Sequence, residues 1–290
     1  MTDRTLEAPD LFGDAVGSTL VTALYARAKG AALFDVPDWD DPQAREAWSA
    51  LDAMGRERGR RLEDLVLTDV MNVVGTIRRS QDIDARVREF ADEHGHAEVV
   101  TLGVGMCNRA ARLDGLCAEW TGVDNPDVVA LRSRILPDDA TRLVAGSVTG
   151  RDWLAETDPD SPTVLVAEGL LMYLTRPLVT QLLTRIGDHF TGPTRLVADV
   201  HHAAVARMPN PVAKRTGAGF HFGATSPQGF ARLSPGWRLA GVDETMTRIR
   251  PAAARASRVF RTVSRSLMYG VVTIEREPER DGEPEREREQ

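Results

Sequence analysis

The chain has 290 residues, a formal net charge of −7 and two cysteines. This length can bury a sizeable core in one large or two small domains. No basic run with interleaved aromatic residues supports a nucleic-acid partner, and no apolar stretch is long enough to cross a membrane. The start has no basic segment followed by an apolar core, and two cysteines argue against a disulfide framework, so we expect a cytoplasmic protein.

Residues 1–94 have the pattern of a helical cap. A Ser-Thr pair at 18–19 suits a helix start, and the segment after it places apolar residues on one face. Asp-Asp-Pro at 40–42 predicts the start of a second helix. Residues 62–77 and 83–93 are amphipathic and predict a third and a fourth helix. No strand pattern interrupts this region.

A glycine turn follows the first strand pattern. Residues 99–102 form a short β-branched run that is typical of a strand buried on both faces. Gly103 and Gly105 then allow a tight turn with no Cβ to block a ligand, and Asn108 suits the N-cap of the next helix. Asp124 ends the next strand pattern about 20 residues later, where nucleotide-binding units place a carboxylate on the ribose hydroxyls. Because Asn108 stands where the dinucleotide fingerprint has its third glycine, the turn fits an adenosine-type ligand better than a pyrophosphate.

Strand and helix patterns alternate from residue 95 onward, which predicts a doubly wound parallel sheet in a domain that ends at residue 274. The predicted strands span residues 99–102, 120–124, 142–145, 164–167, 196–200, 237–242 and 267–274. The predicted helices span residues 108–113, 126–136, 151–155 and 177–190. Residues 201–229 are a long glycine- and proline-rich insertion at the ligand edge of such a sheet, which predicts a lid. Residues 275–290 hold eight acids and four bases and predict a disordered tail.

Five segments carry a family resemblance: VVTLGVGMCNRAARLD at 99–114, GVDNPDVVALRSRIL at 122–136, VAGSV at 144–148, VAEGLLMYL at 166–174 and FHFGATSPQGFARLSPGWRLAGVDE at 220–244. They resemble the leucine carboxyl methyltransferase family, specifically its bacterial branch of polyketide O-methyltransferases. The resemblance implies an α/β, Rossmann-like class I fold with a mostly parallel seven-stranded sheet, helices on both faces and an N-terminal helical cap. It also implies S-adenosylmethionine as the cofactor and methyl transfer to a small-molecule hydroxyl or carboxyl, in polyketide or related natural-product biosynthesis.

Two arginines are implied as ligands of the cofactor's methionine carboxylate. Arg109 falls where the family has one such arginine, and Arg79 falls where a second one stands, with Arg78 as its rival. From chemistry alone, Arg109 could instead form a surface salt bridge. Cys107 and Asn108 depart from the aspartate and threonine that the family usually shows before the motif arginine.

The other implied cofactor contacts follow the strands. Gly103 and Gly105 form the turn, and Asp124 falls on the ribose acid. Ser147 and Val148 fall where the family has the residues that line the adenine of the cofactor. Glu168 falls where the family has a glutamate that contacts the cofactor. Alternatively, Glu168 could be an acid that caps a helix.

The catalytic candidates lie at the end of the fifth strand and in the fourth-strand motif. A hydroxyl acceptor benefits from a general base, and His201 and His202 directly follow the fifth strand. Neighbours on an extended chain face opposite sides, so we expect only one histidine to reach the site; either could instead be hydrogen-bonded within the lid. Tyr173 either orients the substrate or fills the core. Asp199 could orient a histidine or bind a metal, but this set lacks the usual zinc spacing and no metal is expected.

Two other functions share parts of this pattern. A nicotinamide-dependent oxidoreductase would use the same glycine turn and ribose acid, but the missing third glycine counts against it. An S-adenosylmethionine-binding protein without methyl transfer is favoured only by the departure at Cys107 and Asn108. We expect a small-molecule acceptor as the partner, and the two histidines favour a hydroxyl over a carboxylate, which needs no base.

Overall fold

The computed structural model describes residues 15–208 and 219–276. The predicted tail beyond Arg276 and the middle of the predicted lid therefore lie outside the described residues. In the part of the chain that the structure describes, no helix is both long enough and apolar enough to cross a membrane.

The described part of the cap, from residue 15 onward, contains three α-helices: α1 (Ala15–Phe34), α2 (Pro42–Glu57) and α3 (Val70–His94), with a 3₁₀ turn at Leu62–Leu65. The predicted start of α1 at residues 18–19 is wrong, because the helix already includes Ala15. The predicted start of α2 is confirmed, since the Asp41 carboxylate accepts a hydrogen bond from the Ala44 N–H as an N-cap.

The predicted third and fourth helices are one helix in the structure. α3 begins after its N-cap Asp69, later than the predicted start, and runs for 25 residues through the polar stretch at 78–82. That stretch interrupts the apolar periodicity and so separates the two predictions. In the structure Ser80 and Asp82 are buried, and Arg79 pairs with carboxylates of the sheet domain. The polar residues therefore mark a buried ionic contact and not a loop.

One seven-stranded sheet forms the second part of the fold. Its strands are β1 (Ala97–Leu102), β2 (Ala118–Asp124), β3 (Arg142–Ala145), β4 (Thr163–Ala167), β5 (Thr194–His201), β6 (Trp237–Asp243) and β7 (Tyr269–Arg276). Their order is β3-β2-β1-β4-β5-β7-β6, with β7 antiparallel to both neighbours. This confirms the predicted fold class, and each predicted strand end lies within two residues of the observed one. The last strand continues to Arg276, which is two residues into the predicted tail.

Six further α-helices connect the strands within the described residues: α4 (Arg109–Arg112), α5 (Pro126–Ile135), α6 (Arg176–His189), α7 (Ala203–Ala206), α8 (Pro227–Ala231) and α9 (Pro251–Ser264). The helix predicted at 151–155 is a 3₁₀ turn, and α4 is shorter than predicted. The sequence pattern predicts no helix where α9 lies. The buried residues of α9 are Ala253, Ala254 and Ser257, and its N-cap Arg250 makes no side-chain capping hydrogen bond, so the usual signal of a helix start is missing.

Helices cover both faces of the sheet, as expected for parallel strands. The carboxyl-terminal half of α3 packs on one face, and α6 packs on the other. The amino-terminal half of α3 packs instead with α1 and α2, for example through Val73. One helix therefore belongs both to the core of the cap and to the core of the sheet domain.

A chain of buried ion pairs also joins the cap to the sheet domain. Asp84 of α3 accepts hydrogen bonds from Arg109 Nε at 2.7 Å and from Arg112 Nε at 2.9 Å. Arg112 also donates from Nη1 to Asp41, the N-cap of α2, at 3.0 Å. The Arg109 and Arg112 side chains are only 2% and 6% exposed, so loss of a carboxylate partner leaves a buried charge.

We predict that Asp84→Ala lowers the free energy of unfolding by about 3–5 kcal/mol, the usual cost of breaking a buried ion pair. Urea unfolding followed by circular dichroism measures the loss. The matched control is Asp40→Ala, which removes the partner of Arg45 from an exposed pair and should cost less than about 1 kcal/mol. Equal losses for the two variants would contradict this account of how the cap is attached.

Candidate active site

A cavity of about 750 Å³ lies at the carboxyl ends of β1 to β5. Its floor is formed by the loops that follow these strands, and its other walls come from α1, α3 and the start of β7. Open α/β sheets bind ligands at this edge, because the chain leaves neighbouring strands in opposite directions there. Here the change of direction lies between β1 and β4.

The glycine turn and Asp124 form one hydrogen-bonded unit. Gly103 and Gly105 have φ angles of +69° and +48°, a region that favours glycine. The Gly105 N–H donates to Asp124 Oδ2 at 2.8 Å, and the Asn125 N–H donates to Oδ1 at 2.8 Å. Burial raises the pKa of Asp124, while these two donors oppose that rise. The carboxylate is thus fixed beside the turn, with lone pairs available for a pair of neighbouring hydroxyls.

The loop after β3 forms the wall beside Asp124. Ser147 and Val148 line the cavity together with Gly146 and Thr149. The Gly146 N–H donates to the Asp124 carbonyl at 2.8 Å, which ties this loop to the end of β2. A flat ring can lie against this wall, because a Cβ placed on Gly146 would meet open space.

Glu168 lines the cavity and is the centre of a buried ionic cluster. Its carboxylate accepts hydrogen bonds from Arg79 Nε at 3.2 Å, from Ser80 Oγ at 2.7 Å and from Arg109 Nη2 at 2.6 Å. Burial alone would raise the pKa of Glu168, but Arg79 and Arg109 hold that pKa far below its ordinary value. The alternative that Glu168 caps a helix is wrong, because the N-cap of the following α-helix is Thr175.

The two predicted arginines have different positions. Arg79 lines the cavity, and its rival Arg78 does not. Arg109 is not among the lining residues: it is buried between Asp84 and Glu168, and its Nη1 has no hydrogen-bond partner. The alternative of a surface salt bridge is therefore wrong for Arg109. Its direct contact with a cofactor stays a prediction.

Four rings form an aromatic wall at the other end of the cavity: Tyr173, His201, Phe220 and Tyr269. The centroid distances are 5.6 Å from Tyr173 to Phe220, 4.9 Å from Phe220 to His201 and 4.4 Å from His201 to Tyr269. Burial raises the pKa of Tyr173 to about 12, raises that of Tyr269, and lowers that of His201 to about 4. All four rings are therefore uncharged at neutral pH.

The structure distinguishes the two histidines. His201 lines the cavity, and its Nδ1 has no hydrogen-bond partner. His202 does not line the cavity: its Nδ1 accepts a hydrogen bond from the Ala204 N–H at the start of α7, and its ring packs against Phe260. Neighbouring residues on an extended chain point to opposite sides, and His201 and His202 do so. His202 therefore has a local structural role.

Arg27 and Tyr269 are among the cavity residues that sequence reasoning missed. Arg27 of α1 lines the wall near the glycine turn and donates from Nη2 to the Met106 carbonyl at 2.9 Å. The sequence feature that could have indicated Arg27 is a charged residue on the apolar helix face that also carries Leu20 and Leu24. Tyr269 begins β7, and no local pattern of the sequence indicates that its hydroxyl reaches Asp199.

The described residues contain no group of three or more His, Cys, Asp or Glu that could hold a metal ion. The Asp199 carboxylate instead accepts hydrogen bonds from the Gly169 N–H at 2.6 Å, from Arg79 Nη1 at 3.2 Å and from the Tyr269 hydroxyl at 3.0 Å. It is thus occupied as a hydrogen-bond acceptor between the ionic cluster and the aromatic wall.

The profile of the leucine carboxyl methyltransferase family matches residues 5–187. The chain belongs to this family. It is 31% identical over 230 residues to the tetracenomycin polyketide synthesis O-methyltransferase TcmP of Streptomyces glaucescens, covering 77% of this chain and 81% of that protein. It is 29% identical over 201 residues to the S-adenosyl-L-methionine-dependent methyltransferase dpfgK of Gibberella zeae, covering 66% of each.

A solved structure shows the same fold. A crystal structure assigned as a methyltransferase from Thermobifida fusca YX matches with a TM-score of 0.54 at 17% identity, over 94% of this chain and 99% of that one. Together the family and the fold confirm the sequence resemblance. The protein is an S-adenosylmethionine-dependent methyltransferase.

The cavity fits this cofactor. The oriented carboxylate of Asp124 suits a ribose diol, the open backbone at Gly146 suits a flat base, and Arg79 is a cation that lines the cavity. Of the two unusual residues before Arg109, Cys107 lines the cavity and Asn108 does not. Asn108 is buried and donates to Asp41.

We predict that Asp124→Ala weakens binding of S-adenosylhomocysteine by about 1–3 kcal/mol, because the ribose hydroxyls lose an ionised acceptor. Calorimetric titration measures this change. The control Asp127→Ala changes an acid in the first turn of α5 that does not line the cavity and should leave the affinity unchanged. An unchanged affinity in a folded Asp124→Ala variant would remove Asp124 from the site.

We also predict a pH-dependent contribution of His201 to stability. Its pKa is 6.5 in the unfolded chain and about 4 in the fold, so between these values the unfolded chain binds the extra proton. The stabilising contribution is complete above about pH 6.5 and is lost as the pH falls toward 4. The free energy of unfolding of the wild type, minus that of His201→Gln, should be constant above that window and decrease as the pH falls through it. Urea unfolding over a pH series tests this; a difference independent of pH would refute it.

Proposed function

We propose that this methyltransferase transfers its methyl group to an oxygen atom of a small organic acceptor bound against the aromatic wall. The observation that carries the proposal is the continuity of the cavity. One space of about 750 Å³ joins the Asp124 and glycine-turn end to the wall that contains Tyr173 and His201. The methyl donor and the acceptor can therefore lie next to each other in one cavity at the same edge of the sheet.

Methyl transfer requires little from the protein beyond the positioning of the two reactants. S-adenosylmethionine supplies an activated methyl group on a sulfonium. The residues of the chain bind and orient the two reactants and exclude water, and such positioning reaches effective molarities of about 10⁵–10⁸ M. The described wall has no side chain placed as a covalent nucleophile, and Cys107 is a small buried residue of the turn.

The shape and composition of the wall support an aromatic acceptor. Tyr173 and Phe220 meet edge to face, as flat rings do, and a flat ligand can extend this packing. The relative TcmP is an O-methyltransferase of tetracenomycin polyketide synthesis. We infer that the acceptor is a polyketide or a related aromatic natural product.

The alternatives from the sequence have less support. Membership of the family removes the nicotinamide-dependent oxidoreductase. A cofactor-binding protein without methyl transfer rested on the departure at Cys107 and Asn108. Asn108 is buried and donates to Asp41, and Cys107 is a small residue that lines the cavity.

Two measurements on the full chain test the proposal. Calorimetry should show binding of S-adenosylmethionine and of S-adenosylhomocysteine, and none of NADH. Incubation with methyl-deuterated S-adenosylmethionine and a panel of aromatic hydroxyl and carboxyl compounds should give O-methylated products that carry the label in mass spectra. The Asp124→Ala variant is the control and should lose product at low cofactor concentration. Cofactor binding with no labelled product from the panel would overturn methyl transfer in favour of the cofactor-binding alternative.

A further inference from the structure

The helix α9 has an apolar row on its exposed side. Val259 and Val263 lie one turn apart and are 65% and 82% exposed. Ala252 and Ala256 continue the row toward the start of the helix and are also exposed. The four residues follow one another at spacings of four, three and four positions, which is the spacing of the seam between two packed helices. The row therefore has the geometry of a surface that binds a second helix.

The segment around this row is strongly basic. Residues 248–265 contain six arginines and neither aspartate nor glutamate, although the chain as a whole has a net charge of −7. Arg248 and Arg261 pair with acids of the protein. Among the ion pairs of the described residues, none involves the exposed Arg255 or Arg258. These two guanidinium groups are available to acids of another molecule.

The free arginines stand beside the apolar row. Arg255 comes one position before Ala256, and Arg258 comes one position before Val259. Because successive residues are about 100° apart around a helix, both arginines border the row on the same side. Guanidinium groups form their strongest hydrogen bonds with carboxylates. A helix that fits the row should therefore carry acids along one edge of its own apolar face.

The position of α9 places this surface next to the cavity. Met246 and Ile249 line the cavity just before α9 begins. Met268 and Tyr269 line it just after α9 ends, and Tyr269 belongs to the aromatic wall. A molecule bound on the exposed side of α9 would thus lie close to that wall.

The composition of the row favours a protein helix over a lipid surface. Helices that lie on membranes carry large residues such as tryptophan, phenylalanine or leucine on a wide apolar face. Phe260, the aromatic residue of α9, packs instead against the ring of His202. A narrow row of alanines and valines suits close contact with one other helix. A second copy of α9 would bring arginines together, and like charges at an interface repel.

We propose that α9 is a docking surface for an acidic amphipathic helix of a partner protein. The apolar residues of that helix pack on the row of Val259 and Val263, and its carboxylates pair with Arg255 and Arg258. This interaction goes beyond the proposed function and does not depend on the acceptor. At 1.5 Å per residue the 14 residues of α9 span about 21 Å, so the contact is small and suits a transient complex.

The test uses a synthetic probe on the full chain. The probe is a fluorescein-labelled peptide of about four helical turns, with leucines at spacings of three and four and glutamates beside them. Its control is a peptide of the same composition in scrambled order. In fluorescence anisotropy we expect the ordered peptide to bind at least about tenfold more tightly than the scrambled one, with an affinity that falls as salt is added. Equal affinities, or no binding of the ordered peptide, overturn the proposal.

Two double variants assign the binding to α9. Arg255→Glu with Arg258→Glu should weaken binding of the ordered peptide by about tenfold or more, because attraction becomes repulsion. The matched control is Arg88→Glu with Arg134→Glu, which makes the same change in net charge at exposed positions of α3 and α5 and should keep the affinity. Equal affinities of the two variants for the peptide overturn the role of α9.

The apolar row needs its own variant. Val259→Ser with Val263→Ser keeps every charge and should weaken the ordered peptide about tenfold while the scrambled peptide is unaffected. Both side chains are exposed, so the free energy of unfolding should stay within about 0.5 kcal/mol of the wild type for each substitution. An unchanged affinity for the ordered peptide removes the row from the interface.

Three further outcomes would give α9 another occupant and overturn the proposal. The first is binding of the chain to vesicles with one quarter phosphatidylserine that is lost in the arginine variant. The second is a dimer in sedimentation equilibrium that the same variant dissociates. The third is a rise of about tenfold or more in peptide affinity when residues 277–290 are removed, because this acidic segment of the chain would then compete for the arginines.

Discussion

The structure depends on alternating buried charges between the cap and the sheet domain. Arg79 lies between Glu168 and Asp199, and Arg109 lies between Glu168 and Asp84. Each group is buried, so each is stable as an ion only while its neighbours stay in place. The cap can therefore meet the sheet in one arrangement, and the cavity between them has walls of fixed position. The same charges that attach the cap also set the electrostatic character of the site.

Local patterns were sufficient for the strands of the sheet domain. A strand buried on both faces needs a continuous apolar run, so the strands could be found from short stretches such as the one before Gly103. The turn also follows from local rules, since positive φ angles require glycine, and the Gly105 N–H does bond to the predicted Asp124. In these places a few residues determine the backbone, and the contact with Asp124, 19 positions after Gly105, follows from the pairing of β1 with β2.

Contacts between distant parts of the chain could not be predicted in this way. The polar stretch at 78–82 looks like a break in α3 because its partners are far away in sequence, for example Asp199 at 120 positions from Arg79. The choice between His201 and His202 depends on which side of β5 meets the cavity, and both sides carry a histidine. Tyr269 enters the site because β7 pairs antiparallel with β5, which no short pattern specifies.

The length of α3 has a mechanical consequence. At 1.5 Å per residue, its 25 residues make a rod of about 37 Å that is anchored in both cores. An insertion of one residue before Arg79 would turn everything upstream by about 100° relative to the guanidinium, because a helix has 3.6 residues per turn. The packing of Val73 in the cap and the aim of Arg79 into the cavity would then be incompatible. The number of residues in α3 therefore sets the distance between the cap and the reacting groups.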